Sequence, residues 1–99
     1  MAKFVLIFYG FEEPTPKVME AWGSWFASIG DRFVDQGSPI RSSREITREG
    51  TSTDLTSGAA TGYCLVEADS MDDAEKLLAG CPIIDSVRIY ETMSMERGH

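Results

Sequence analysis

Basic residues, histidine and long apolar runs are all scarce in this chain of 99 residues, and each scarcity removes a class of function. Nine Lys and Arg stand against sixteen Asp and Glu, a net charge of −7. The nine form no cluster. Nucleic-acid binding draws most of its free energy from neutralising phosphates with Lys and Arg, so no nucleic-acid partner is expected. An anionic membrane surface is disfavoured for the same reason, and the acidic balance reads as charge that keeps a protein soluble. No apolar run reaches the roughly 18 residues of a membrane span. The opening stretch MAKFVLIFYG has one Lys, then a short apolar run, and no small-residue cleavage site. It reads as a buried strand rather than a signal peptide, with the cytoplasm as the default location.

Cysteine is scarce too. Cys64 and Cys81 lie seventeen positions apart and form no C-x-x-C. Cys64 falls in a strand pattern. Cys81 falls at a helix C-terminus, where the dipole raises a thiol pKa. Both read as buried, reduced thiols. No G-K-[ST] occurs, so there is no phosphate loop, and no cofactor is expected. What remains is 42% hydrophobic and 10% aromatic. That composition fits one globular domain, 1–99, and a chain of this size buries about 60–70% of its unfolded surface.

The stretch Gly62 to Met93 carries the strongest local signals. Tyr63 to Ala68 is rich in strand formers. Ser70 stands three residues before Asp73 in the S-x-x-D form of a capping box. Met71, Ala74, Leu77, Leu78 and Cys81 follow at helical spacing. Gly80 suits the left-handed residue that closes a helix, and Pro82 cannot continue one. Ser86 to Met93 then alternates, with Val87, Ile89 and Glu91 on one side and Arg88 and Tyr90 on the other.

Earlier in the chain, Lys3 to Tyr9 is apolar on both faces: Phe4, Leu6 and Phe8 on one, Val5, Ile7 and Tyr9 on the other. A strand of this kind belongs inside a sheet covered on both sides. Thr15 suits a helix N-cap, with Pro16 at the first helical position. The pattern predicts a helix from there toward Gln36, with Gly37 as the stop and Gly30 as an earlier one. Met19, Trp22, Phe26, Ile29 and Phe33 form its apolar stripe. Val18 and Trp25 widen it on one flank, and Gly23, Ala27, Gly30 and Val34 on the other. The expectation is that Trp22 is core and that Trp25, on the flank, lies at an interface or pocket rim. Ile40 to Arg48 reads as a polar edge strand. Glu49 to Thr61 has no period and reads as a long loop, mobile or acting as a lid.

The order β-α-β-β-α-β is that of an α+β, ferredoxin-like domain with a four-stranded antiparallel sheet. One apolar sheet face is then left uncovered. Two copies packed sheet to sheet would cover it, so a homodimer in the form of a dimeric α+β barrel is expected.

The segment GYCLVEADSMDDAEKLLAGCP, the closing strand VRIYETM, the opening strand and the Trp-bearing first helix resemble the YCII-related and DGPF-type small bacterial proteins. The resemblance implies the dimeric α+β barrel and little about activity. The D-G-P-F run is absent, and Leu55 to Ala60 stands in its place. The His suspected of acid–base work in YCII-like members has no counterpart, since His99 is the only His. No catalytic dyad is therefore transferred. Asp35, which could match the carboxylate partner, falls on the polar face of the predicted helix, as a solvated helix-end residue.

For function, the pattern points first to a small molecule held between sheet and helices. Tyr9, Trp22 and Phe26 are the apolar walls. Ser43, Arg44 and Tyr63 are the polar groups, with the Arg44 guanidinium suited to an anionic or carbonyl ligand. A cofactor-free enzyme is conceivable on that fold by analogy alone. The alternative is a non-catalytic homodimeric interaction module using the flank around Trp25 and the Met-bearing tail. Glu67, Asp69, Asp72, Asp73 and Glu75 could attract a hard cation. Helix capping explains that cluster better, and no metal site is expected.

Overall fold

A computed structural model describes residues 1–93. Met95, Gly98 and His99 lie outside the described residues. Strand β1 (Ala2–Tyr9) leads to helix α1 (Pro16–Ile29) and a short 3-10 turn (Gly30–Arg32). Strands β2 (Phe33–Pro39), β3 (Ser43–Ile46), β4 (Ser52–Leu55) and β5 (Ala60–Ala68) follow. Helix α2 (Met71–Lys76) and strand β6 (Ser86–Glu91) complete the order. β2, β5, β1 and β6 form one four-stranded sheet in that spatial order, while β3 and β4 form a separate two-stranded one. Every pairing is antiparallel. The architecture is α+β and compatible with a ferredoxin-like fold.

The core follows from strand alternation. Phe4 and Leu6 of β1 and Cys64, Val66 and Ala68 of β5 are buried on one face, beneath Trp25, Ile29 and Ala74 of the two helices. Both helices therefore cover the same side. Residues directly opposite in the ladder share a face. Leu6 stands between Cys64 and Ile89, and Ile7 between Tyr63 and Arg88. Val5, Ile7, Tyr9, Tyr63, Leu65, Arg88 and Tyr90 thus make up the other face, which no helix covers.

Both N-caps form as their residues predict. The Val18 amide donates to Thr15 Oγ1 at 3.2 Å, and the Asp73 amide to Ser70 Oγ at 3.1 Å. Each hydroxyl satisfies an amide that the first helical turn leaves without a carbonyl partner. Asp72 and Asp73 stand in the first turn of α2, where the helix dipole favours carboxylates. Regular helix ends at Lys76. The amides of Leu78, Ala79 and Cys81 donate three residues back, to Glu75, Lys76 and Leu78, so the last turn tightens before Gly80 and Pro82.

Several expectations are corrected. The first helix does not reach Gln36. Gly30 adopts φ +55° and its amide donates to the Phe26 carbonyl, so the helix closes there. Phe33–Pro39 turns back as the edge strand β2, paired with β5. Asp35 is accordingly a strand residue and not a helix end; its Oδ1 accepts the Gly37 amide at 2.8 Å. Ile40 to Arg48 is not the sheet edge. Only Ser43–Ile46 is strand, and it pairs with Ser52–Leu55 inside the stretch expected to be loop. The Gly50 amide closes this hairpin onto the Thr47 carbonyl at 2.9 Å. β6 ends at Glu91, short of Met93.

The two tryptophans also exchange roles. Trp25 is 2% exposed and Trp22 is half-buried. The stripe that faces the sheet is Val18, Trp22, Trp25 and Ile29, one position round from the expected one, and Met19 is 59% exposed. Once Phe33 belongs to a strand, it no longer sets the direction of the helical stripe. The flank of Gly23, Ala27 and Gly30 faces solvent.

Candidate functional site

A cleft of about 530 Å³ opens between α1 and the sheet, at the end where β1 finishes and β5 begins. Val18, Met19, Trp22 and Phe26 of α1 form its roof, and Phe8, Gly62 and Cys64 its floor. Phe11 and Pro14 border it from the β1–α1 loop, Gln36 to Pro39 from β2, and Ile84 from the turn before β6. The Trp22 ring meets Phe8 edge-on at 5.5 Å and Phe26 at 6.1 Å, so it is held on both sides. Phe11, Met19 and Ile84 are exposed at the mouth.

One position in the cleft floor, Gly62, carries no side chain. Gly62 lies directly opposite Phe8 in the ladder, on the helix-covered face. A Cβ there would meet the Ser38 carbonyl oxygen at 3.5 Å, and the Phe8 ring and Pro39 Cα at 3.9 Å, all ordinary contacts. Deeper along the same face, Cys64 and Val66 fill the equivalent positions and the layers close. Next to Gly62, Thr61 Oγ1 donates to the carbonyls of Phe8 and Gly10, at 3.2 and 2.8 Å. These bonds tie the β5 start to the β1 end across a register shift.

The electrostatics are sparse. Among the described lining residues there is one carboxylate, Glu12, and no Lys or Arg. Cys64 is buried, and burial, then the neighbouring Cys81 and Asp35, push its thiol up to about 12. Burial likewise pushes Cys81 to about 11. Both are free thiols, protonated at neutral pH and poor nucleophiles. Burial does this, where the sequence suggested the helix end. Among the described residues, no group of three or more His, Cys, Asp or Glu side chains converges as a metal site would.

Of the residues singled out from sequence, Trp22 and Phe26 come together as cleft walls. Tyr9 and Tyr63 border the cleft through their strands, but alternation sets their rings on the uncovered face. There the Arg88 guanidinium lies 4.9 Å over the Tyr9 ring. The neighbouring phenols of Tyr90 and then Tyr9 raise its pKa above the ordinary value. Ser43 borders a neighbouring cavity instead. Arg44 lines neither; its Nε donates to Asp54 Oδ1 at 2.7 Å across the exposed hairpin. Its expected role as ligand anchor is thus not supported by its position. Sequence reasoning missed Phe8, Phe11 and Gly62. Phe11 carried a signal, a large apolar residue inside an acidic turn. Gly62 carried none, because its meaning depends on standing opposite Phe8.

No helix of the described residues is long and apolar enough to cross a membrane. No protein-family model matches the chain, and neither does any curated protein or solved structure.

Proposed function

We propose that this protein binds a small, largely apolar molecule in the cleft between α1 and the sheet, within a ferredoxin-like domain of YCII-like type. The observation that carries this reading is the aromatic cleft itself, about 530 Å³, with Gly62 in its floor. Ligand sites of this size are concave, mostly apolar and bordered by a few polar groups. A cleft with no basic side chain favours a ligand body without negative charge. The reading is one of binding, since Cys64, a thiol pushed up to about 12, offers no nucleophile there at neutral pH.

Gly62→Leu tests it. A Cβ at Gly62 meets its neighbours at ordinary contact distances, and Gly62 borders the cleft, so the fold should persist while the larger side chain occupies cleft volume. Titration with 1-decanol, followed by the emission of Trp22, should show at least about tenfold weaker binding by the variant. Unchanged affinity, with an unchanged circular dichroism spectrum, would remove the cleft as the binding site.

The same architecture supports a homodimer formed through the uncovered face. The chain exposes 7471 Å². A compact monomer of its mass exposes about 5,600 Å². Setting aside about 1,000 Å² for the six undescribed residues still leaves an excess of about 900 Å². A stable interface takes about 800 Å² from each partner. Val5, Ile7 and Leu65, with Tyr63, Tyr90 and Arg88, also supply the aromatic and Arg anchors common at interface centres. Light scattering at micromolar concentration should give twice the chain mass, and Ile7→Glu should give a folded monomer. A monomeric wild type would sink the assembly. The alternative, an interaction module using an exposed flank at Trp25, loses that surface because Trp25 is buried.

A further inference from the structure

The cleft has a neighbour of different chemistry. A second cavity, about 310 Å³, opens at the base of the β3–β4 hairpin. Tyr9, Gly10, Phe11 and Thr61 border both spaces. The two therefore adjoin around the wall that Thr61 ties to the Phe8 and Gly10 carbonyls. Beside the apolar Ile40, Leu55 and Ala60, this cavity is bordered by the hydroxyl residues Ser42, Ser43, Thr56 and Ser57, and by Arg41, a more polar lining than that of the cleft. Among the described residues the ion pairs are Arg44 with Asp54 and Lys76 with Asp73. Arg41 has none, and Asp85, the one carboxylate bordering the cavity, is beyond ion-pair distance from it.

We propose that the two cavities are the halves of one site for an amphiphilic monocarboxylate, with its apolar body in the cleft and its carboxylate against Arg41. The proposal rests on the cleft being a ligand site. Its physical basis is the division of polarity. A carboxylate placed among Phe8, Trp22 and Phe26 would lose its hydration without a compensating donor. A guanidinium with hydroxyl neighbours offers charge-assisted hydrogen bonds in place of water. In a chain of net charge −7, an Arg with no ion-pair partner among the described residues, in the cavity adjoining the cleft, is also a local attractor for an anion, and one that salt should weaken.

The test titrates decanoate and 1-decanol against the wild type and Arg41→Gln at low ionic strength, read by Trp emission. Circular dichroism confirms that the exposed substitution leaves the fold intact. Arg41→Gln should weaken decanoate about five- to tenfold, in line with one charge-assisted contact near the surface. It should leave 1-decanol within twofold. Three results would overturn the proposal: equal effects on both probes, no effect on either, or a wild type that binds the alcohol and not the acid. In each of these the cleft still binds decanol, so the ligand reading survives. Binding of neither probe by the wild type would overturn both readings together.

Discussion

Replacing Gly37 by alanine is expected to lower stability by at least about 3 kcal/mol, because the added methyl has no room against the neighbouring strand. Gly37 sits in β2 at φ +75°. Here the register slips, since Asp35 pairs with Leu65 and Ser38 with Tyr63, so β2 carries one residue more than β5 over the same span. This is the geometry of a bulge with a left-handed glycine. A Cβ at Gly37 would lie 1.7 Å from the Tyr63 carbonyl oxygen and 2.9 Å from Cys64 Cα. Both are backbone atoms of β5, so no rotamer change relieves the collision. β2 would have to lift off the sheet, or the bulge would have to move. Strain of this kind adds to the ordinary left-handed penalty of about 1 kcal/mol. The control is Gly58→Ala. Gly58 also has positive φ, at +69°, but nothing lies within 4 Å of where a Cβ would stand. It should cost only the conformational part. For a domain of this size the Gly37 variant should melt about 12 °C lower or more, with Gly58→Ala losing a third of that. Equal losses at the two positions would show that the close approach of β2 to β5 is not what requires glycine.

Trp25→Ala should cost about 3–5 kcal/mol, the range for emptying a large buried aromatic site. Against a total stability of about 5–15 kcal/mol for a domain, that is a large share. Trp25 packs against Phe8, Trp22, Phe26 and Phe33 at centroid separations of 5.5 to 6.0 Å. It also does something that no phenyl ring could. Its indole Nε1 donates to the Leu77 carbonyl at 2.8 Å. That carbonyl belongs to the turn that ends α2, where helical partners run out. The bond fastens α1 to α2 across the top of the sheet. Trp25→Phe should therefore cost about 1–3 kcal/mol beyond the volume change, because it strands the Leu77 oxygen. Trp22→Ala should cost less than Trp25→Ala, since Trp22 is half-buried and borders the cleft. Urea unfolding followed by circular dichroism gives the order directly. A larger loss at Trp22 would reverse the assignment of core and cleft wall.

These effects divide along the range of the interactions involved. The sequence by itself determined the pieces whose causes lie within a few residues. Thr15 and Ser70 start helices because a hydroxyl reaches an amide three residues on. The alternation of β1 and of Ser86–Glu91 places Phe4, Leu6, Val87 and Ile89 toward the core, whatever surrounds them. From these came the α+β class and a four-stranded antiparallel sheet, but with Ile40 to Arg48 read in the edge place that Phe33–Pro39 takes.

Tertiary structure decided what local pattern left open. Gly30 could either continue or close a helix, and pairing of Phe33–Pro39 with β5 settled it by giving that segment a ladder to join. A stripe read through Phe33 then pointed one position away from the true one, which exchanged Trp22 with Trp25. Ser43 and Arg44 were assigned to a sheet edge that β2 already occupied, so they moved outward into a hairpin. There Arg44 found Asp54. The cleft floor sets Gly62 opposite Phe8 across two strands, fifty-four positions apart in the chain. No window of sequence contains both residues, and an absent side chain has no periodicity to detect. Empty space between layers is a property of packing, and only the folded chain has it.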